Sequence, residues 1–249
     1  MRLNKLAAAA AVAFAVVAAP AQAITSVDLE LALLIDVSGS VSAAEFDLQR
    51  QGYVNAFQDP SIQAAIASGH SVAAKVVYWA AGQQTAVDWT LITDAASANS
   101  FAAAILAAGR PFSGSTGPGS AINFAAPTFF TNAFDGKRKI IDVSGDGAQN
   151  VGANTAAARD AALLSGIDQI NGLPILGEAG LEAWYNANIK GGTGAFVTAA
   201  SGFDTFDAAV KLKIGREITG NLPEPSTYAM MGLGLAMVGF LARRRKTEA

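Results

Sequence analysis

From residue 27 to residue 216, apolar runs of strand length alternate with helix-like segments, and no internal repeat appears at a solenoid period. Alternation of this kind restricts a chain to an α/β architecture, because a helix between two strands carries the chain back to start the second strand parallel to the first. The expected fold is a doubly wound, mostly parallel sheet with one antiparallel edge strand and helices on both faces. Residues 27–36 read as the first strand, and positions 31–35 are apolar on both faces, as a central buried strand requires. Ser42, Ala43, Ala44 and Glu45 match a capping box, and Phe46, Tyr53, Val54 and Phe57 give the helix that follows one apolar side. Residues 71–79 form a second strand, and 84–92 alternate in character as an antiparallel edge strand reached through a turn at Gly82. Helices at 97–108 and 119–129 flank a loop at 109–118 rich in glycine and proline. The pattern then predicts strands at 139–144, 168–173 and 195–199, and helices at 155–165, 178–188 and 206–216.

The two ends read differently. Arg2 and Lys5 precede an apolar run at 6–19, Pro20 and the small-residue triplet Ala21, Gln22, Ala23, which is the pattern of a secretory signal peptide over residues 1–23. Near the other end, Pro223, Glu224 and Pro225 precede an apolar stretch at 228–242 and the basic cluster Arg243, Arg244, Arg245, Lys246. That end resembles the PEP-CTERM sorting signal of Gram-negative bacteria. The resemblance implies a transient stay in the inner membrane, cutting near the tripeptide by an exosortase-type transpeptidase, and delivery to the cell surface or the extracellular matrix, where such proteins accompany exopolysaccharide and biofilm. From the residues alone, fifteen positions make a marginal transmembrane helix and the basic cluster holds that end in the cytoplasm. The alternative is a permanent anchor that leaves the domain in the periplasm. The expected division is a signal peptide at 1–23, one domain at 24–220 and a sorting segment at 221–249. Between residues 24 and 225 stand eleven Lys and Arg against nineteen Asp and Glu, a net charge of −8 that argues against nucleic-acid binding. The absence of cysteine excludes thiol catalysis, disulfides and thiolate metal sites.

Asp36, Val37, Ser38, Gly39 and Ser40 follow directly from the first buried strand. Two further loops share the character of this D-x-S-x-S run: the glycine-rich stretch 114–119 around Thr116, and Gly145, Asp146, Gly147 at the end of the strand over 139–144. In an open parallel sheet, ligands collect at the carboxyl ends of strands where the strand order reverses, and Asp36 and Asp146 end two strands that would flank such a point. Hydroxyl and carboxylate oxygens are hard ligands suited to Mg²⁺ or Mn²⁺, or to Ca²⁺, and not to Zn²⁺. The three loops together resemble the metal-ion-dependent adhesion site (MIDAS) of von Willebrand factor type A domains, a Rossmann-like fold, and residues 141–147 are similar to a bacterial branch of that family. The resemblance covers about residues 27–216. It implies that Ser38, Ser40 and Thr116 are direct or near-direct ligands, that Asp36 and Asp146 act largely through bound water, and that a partner's carboxylate fills an open coordination position.

The sequence departs from the family pattern at Ser115, where glycine is common, at Gly145, where threonine is common, and at Asp142, a carboxylate within an otherwise apolar strand. Asp142 is expected to be a structural residue hydrogen-bonded near the sheet end, with a metal-associated role as the alternative. Residues 142–147 imitate the start of an EF-hand loop, but Ala153 stands at its twelfth position and a strand precedes it. A serine hydrolase needs a base, and the single histidine, His70, falls in a loop at the sheet end opposite Ser38. Trp79, Trp89 and Trp184 read as core or edge packing. The function expected from these residues is an exported, cation-dependent binding module, not an enzyme, whose partner is an acidic protein or polysaccharide. The alternatives are a structural matrix protein with a degenerate site, or a hydrolase of unrecognised mechanism.

Overall fold

The computed structural model describes residues 23–220, so the expectations for the signal peptide, the PEP tripeptide, the apolar stretch at 228–242 and the basic tail lie outside the described residues. The chain enters as β1 (Thr25–Val27) and continues as β2 (Leu29–Asp36), which is buried along its whole length. After β2 come α1 (Ala43–Gln58), α2 (Pro60–Ala67), β3 (Val72–Trp79) and β4 (Gln83–Ile92). Next are α3 (Ala95–Ala107), α4 (Pro118–Ala125), which runs into a 3₁₀ turn at Ala126–Phe130, β5 (Phe134–Gly136) and β6 (Lys139–Gly145). The chain closes with α5 (Thr155–Leu164), β7 (Gln169–Pro174), α6 (Leu181–Asn188), β8 (Gly191–Gly192) and α7 (Phe206–Thr219). The main sheet has the order β4-β3-β2-β6-β7-β8, parallel except for its two edges, while β1 and β5 pair separately. Strand order reverses between β2 and β6, so their carboxyl ends, Asp36 and Gly145, flank the crevice.

The side chains of β2 divide by parity, as a strand of period two covered on both faces must. Leu31, Leu33 and Ile35 enter one core, with α1, α2, α3 and α7; Ala32 and Leu34 enter the other, with α4, α5 and α6. The predicted capping box forms: Glu45 N–H donates to Ser42 Oγ and Ser42 N–H to Glu45 Oε2. On the first face Phe57 and Phe101 meet edge to face at 4.8 Å; truncating either to alanine would cost about 3–5 kcal/mol. Gly52 lets α1 and α7 close on each other, since a Cβ there would lie 2.7 Å from Phe206.

Three local readings differ from the structure. No helix was expected at α2, yet Asp59 caps it by accepting from Ser61 N–H at 2.9 Å, and Pro60 sits in its first turn, where a missing N–H costs nothing. Residues 195–199 do not form a strand; they meet β7 at one isolated bridge, Val197 opposite Gly172, and a second bridge, Ala200 opposite Ile175, lies just beyond both segments. Pro174 has no N–H for that ladder, and Phe196 N–H is taken by the Asn171 side chain, so the ordered edge is instead the short antiparallel β8. Asp142 is structural, but it lies along β6 opposite Leu33 and not at the sheet end. It forms a buried ion pair with Lys213 of α7 at 2.6 Å, and Lys213 also meets Glu217 at 2.5 Å. Burial pushes the Asp142 carboxyl up to about 7, against the pull of the lysine.

Candidate metal centre

The D-x-S-x-S run turns sharply as it leaves β2. Asp36 Oδ1 accepts from Ser38 N–H at 2.7 Å, and Val41 N–H closes a turn on Ser38 O at 3.1 Å. Both Asp36 and Ser38 are fully buried, whereas Ser40 reaches the surface. The hydroxyls of Ser38 and Ser40 lie 3.1 Å apart, and Ser40 Oγ donates to Asp146 Oδ1 at 2.6 Å across a separation of 106 residues. Four of the five expected residues are thus joined in one chain of contacts. Thr116 makes no direct bond to the others, but it lines the same cleft as Ser40 and Asp146.

Several residues that sequence reasoning missed hold these loops. Arg110 Nη2 donates to Val37 O at 2.8 Å and Ser38 O at 2.7 Å. Gly39 N–H donates to Gly114 O at 2.7 Å, tying the first loop to the threonine loop. Asn150 clamps Thr116 from two directions: its Oδ1 accepts from Thr116 N–H at 2.8 Å, and its own N–H donates to Thr116 O at 3.0 Å. Glu178 Oε2 accepts from Ala148 N–H at 3.0 Å just after the Asp146 loop. Arg110 was the one legible signal, a lone charge beside a glycine-rich loop, while Asn150 and Glu178 carried none.

The donor set fits a hard divalent cation. Asp36 Oδ2 is buried with no hydrogen-bond partner, and burial pushes the Asp36 carboxyl up to about 7, with Ser38 opposing and Asp146 adding repulsion. Burial also raises Asp146. Two carboxylates held in this state are what a nearby positive charge would relieve. Among the described residues no group of three or more His, Cys, Asp or Glu is placed to hold a metal, so any such centre here depends on the serine and threonine hydroxyls. His70 sits just before β3, at the sheet end away from Ser38, with Nδ1 2.9 Å from Ala65 O. Trp79 is buried and Trp89 packs edge to face on Phe129 at 4.8 Å.

A family model described as "Protein of unknown function (DUF1194)" matches residues 26–222, and one described as "PEP-CTERM protein-sorting motif" matches residues 221–246. No curated protein sequence matches the chain. Among solved structures, proximal thread matrix protein 1 from the mussel byssus superposes with a TM-score of 0.56 at 17% identity, over 77% of this chain and 47% of that one. The same mussel protein with a zinc-occupied MIDAS motif gives 0.54 at 16% identity, over 77% and 46%. The pilus adhesin SpaC from Lactobacillus rhamnosus GG gives 0.58 at 15% identity, over 82% and 31%. A von Willebrand factor type A protein from Catenulispora acidiphila gives 0.54 at 17%, over 78% and 43%. The chain spans about half or less of the length of these structures. They establish the architecture as the von Willebrand factor type A fold. The sorting motif marks the chain for export and surface display, and among the described residues no helix is long and apolar enough to cross a membrane.

Proposed function

Since the chain belongs to the family described as "Protein of unknown function (DUF1194)", has the von Willebrand factor type A fold and carries a sorting motif, we propose that it is an exported adhesion or matrix module that binds its partner through a divalent cation. Ser38, Ser40 and Thr116 would hold the ion, with Asp36 and Asp146 behind them, and Mg²⁺, Mn²⁺ or Ca²⁺ suits their oxygens. The carrying observation is the convergence of Ser38, Ser40 and Asp146 at the reversal of strand order, beside the unpartnered buried Asp36 Oδ2. A bound cation would supply electrophilic attraction for a hard anionic oxygen, such as a carboxylate of a protein or an acidic polysaccharide. Around it, Arg110 and Asn150 keep the loops in place, and the −8 net charge between residues 24 and 225 keeps non-specific polyanions away. The mussel matrix protein with an occupied MIDAS motif and the pilus adhesin support this reading by analogy of fold. An exosortase-type enzyme would act on the sorting segment during display.

The test is thermal unfolding with Mg²⁺, Mn²⁺, Ca²⁺, Zn²⁺ or EDTA. An ion that binds only the folded form adds about 2.7 kcal/mol at a hundredfold excess over Kd. Asp36→Ala and Asp146→Ala are expected to lose that shift while keeping wild-type circular dichroism. A full shift in either variant would remove that carboxylate from the site.

A further inference from the structure

The cleft shared by Ser40, Thr116 and Asp146 has a volume of about 790 Å³ and a one-sided charge. Beyond Asp146 it is lined by Glu45, Glu178 and Asp204, and no Lys, Arg or His contributes to its walls. None of these three carboxylates takes part in an ion pair among the described residues. Glu45 and Glu178 instead accept local backbone N–H groups, from Ser42 and Ala148. The opposite character comes from Leu48, Leu176 and Phe203, which give the same cleft an apolar surface, and Leu48 is 47% exposed.

We propose that this cleft selects a polypeptide segment in which Lys or Arg side chains stand next to the carboxylate offered to the cation. The proposal rests on the metal-dependent reading above and narrows its partner. Three carboxylates of one sign, none in an ion pair among the described residues, add their potentials across a concave surface. A uniformly acidic protein or polysaccharide meets repulsion everywhere except at the ion. A basic side chain meets attraction, and its aliphatic stem covers Leu48, Leu176 and Phe203 while its charged head reaches the carboxylates. The wall has a single aromatic ring and no flat platform for stacking sugar rings, which favours a peptide over a glycan.

The experiment uses the chain over residues 24–220 within the full secreted protein and three synthetic peptides with one central glutamate, flanked by lysine, by serine or by aspartate. Chitosan oligosaccharide and alginate fragments are run beside them. Fluorescence anisotropy in Mg²⁺ is expected to rank the lysine-flanked peptide at least about tenfold tighter than the serine-flanked one, with the aspartate-flanked peptide and alginate weakest, and the gap is expected to shrink in high salt. The combined variant Glu45→Gln, Asp204→Asn is expected to lose most of the lysine preference and to keep a Mg²⁺-dependent thermal shift; the glutamine retains the acceptor oxygen that bonds Ser42. Equal affinity for the lysine and aspartate peptides, tighter binding of either glycan, an unchanged preference in the variant, or no peptide binding at all would overturn the proposal. A lysine preference that persists undiminished in EDTA would support the cleft's selectivity while removing the cation from the contact, so the two readings fail separately.

Discussion

Gly145 stands where threonine is common in von Willebrand type A domains, and its neighbours explain the change. A Cβ there would lie 2.6 Å from Asp36 Oδ2 and 3.0 Å from both Trp79 Cζ2 and the Tyr185 hydroxyl. In this chain those side chains crowd the space beside the strand end, so the glycine is a packing requirement of the site floor. Gly145→Ala is therefore expected to cost about 1–3 kcal/mol in urea denaturation and to weaken the Mg²⁺-dependent thermal shift, because Asp36 is the first atom displaced. Wild-type stability with a full shift would show that the floor has slack. Ser115, the other departure from the pattern near Thr116, is exposed and constrains nothing that the structure records.

At the scale of elements, two charged contacts fasten the sheet to what surrounds it. Asp28, between β1 and β2, accepts from Lys137 Nζ at 2.7 Å and from Ser71 N–H and Oγ at 2.9 and 2.7 Å, joining the entry of β2 to the start of β3 and the turn before β6. The hydrogen bond from Lys137, then that from Ser71, hold its carboxyl down to about 2 from an ordinary 3.8. A depressed carboxylate contributes stability above its unfolded pKa and loses it as pH falls through the folded one. Wild type should thus lose this contribution between about pH 4 and about pH 2, and the stability gap to Asp28→Asn, measured by urea midpoints, should close over that window. A gap independent of pH would mean that the asparagine disturbs packing and not charge. Elsewhere, Lys213 of α7 lies between the buried Asp142 and Glu217 and pairs with both, and Asn171 Nδ2 donates to Glu217 at 2.8 Å. Lys213→Met would strand two buried carboxylates, at an expected cost of about 3–5 kcal/mol. Because burial already raises Asp142 to about 7, the sign is the opposite of that for Asp28: a raised carboxyl contributes stability at low pH and loses it as pH rises through the folded pKa. The Lys213→Met deficit should accordingly be smaller in acid than at neutral pH, as calorimetry at the two conditions would read.

For the whole molecule, the DUF1194 model matches residues 26–222 and the sorting motif matches residues 221–246, so the family body is followed by a sorting segment. The expected mature protein therefore lacks residues 1–23 and the stretch from 228 onward, which intact-mass measurement on protein from the producing cell would show. A mass that retains residues 228–249 would indicate a permanent anchor, and replacing Glu224 would then leave the protein's location unchanged. The crevice at the reversal of strand order lies at the carboxyl ends of β2 and β6, so the body presents its candidate site from one end of the sheet, formed by the loops after those strands.

The α/β class, the two-faced burial of β2, the capped start of α1 and the loop of Asp36, Ser38 and Ser40 were all legible in the sequence, because each follows from the spacing of near neighbours. The nearness of the Asp36 and Asp146 loops could be expected from the strand-end argument and the family resemblance, and the structure supplies the contact itself, Ser40 Oγ to Asp146 Oδ1 at 2.6 Å. Other features had no local signal for their partners: the pairing of Lys213 with Asp142, Arg110, legible only as a lone charge, capping Val37 and Ser38, Asn150 clamping Thr116, and the missing strand at 195–199, where Asn171 and Pro174 of β7 decide the outcome. Those contacts join residues 25 to 73 positions apart, and period and propensity carry information only over the few residues of one turn or one pleat. Tertiary packing alone decided which oxygens face one another, and with that the chemistry of the cleft.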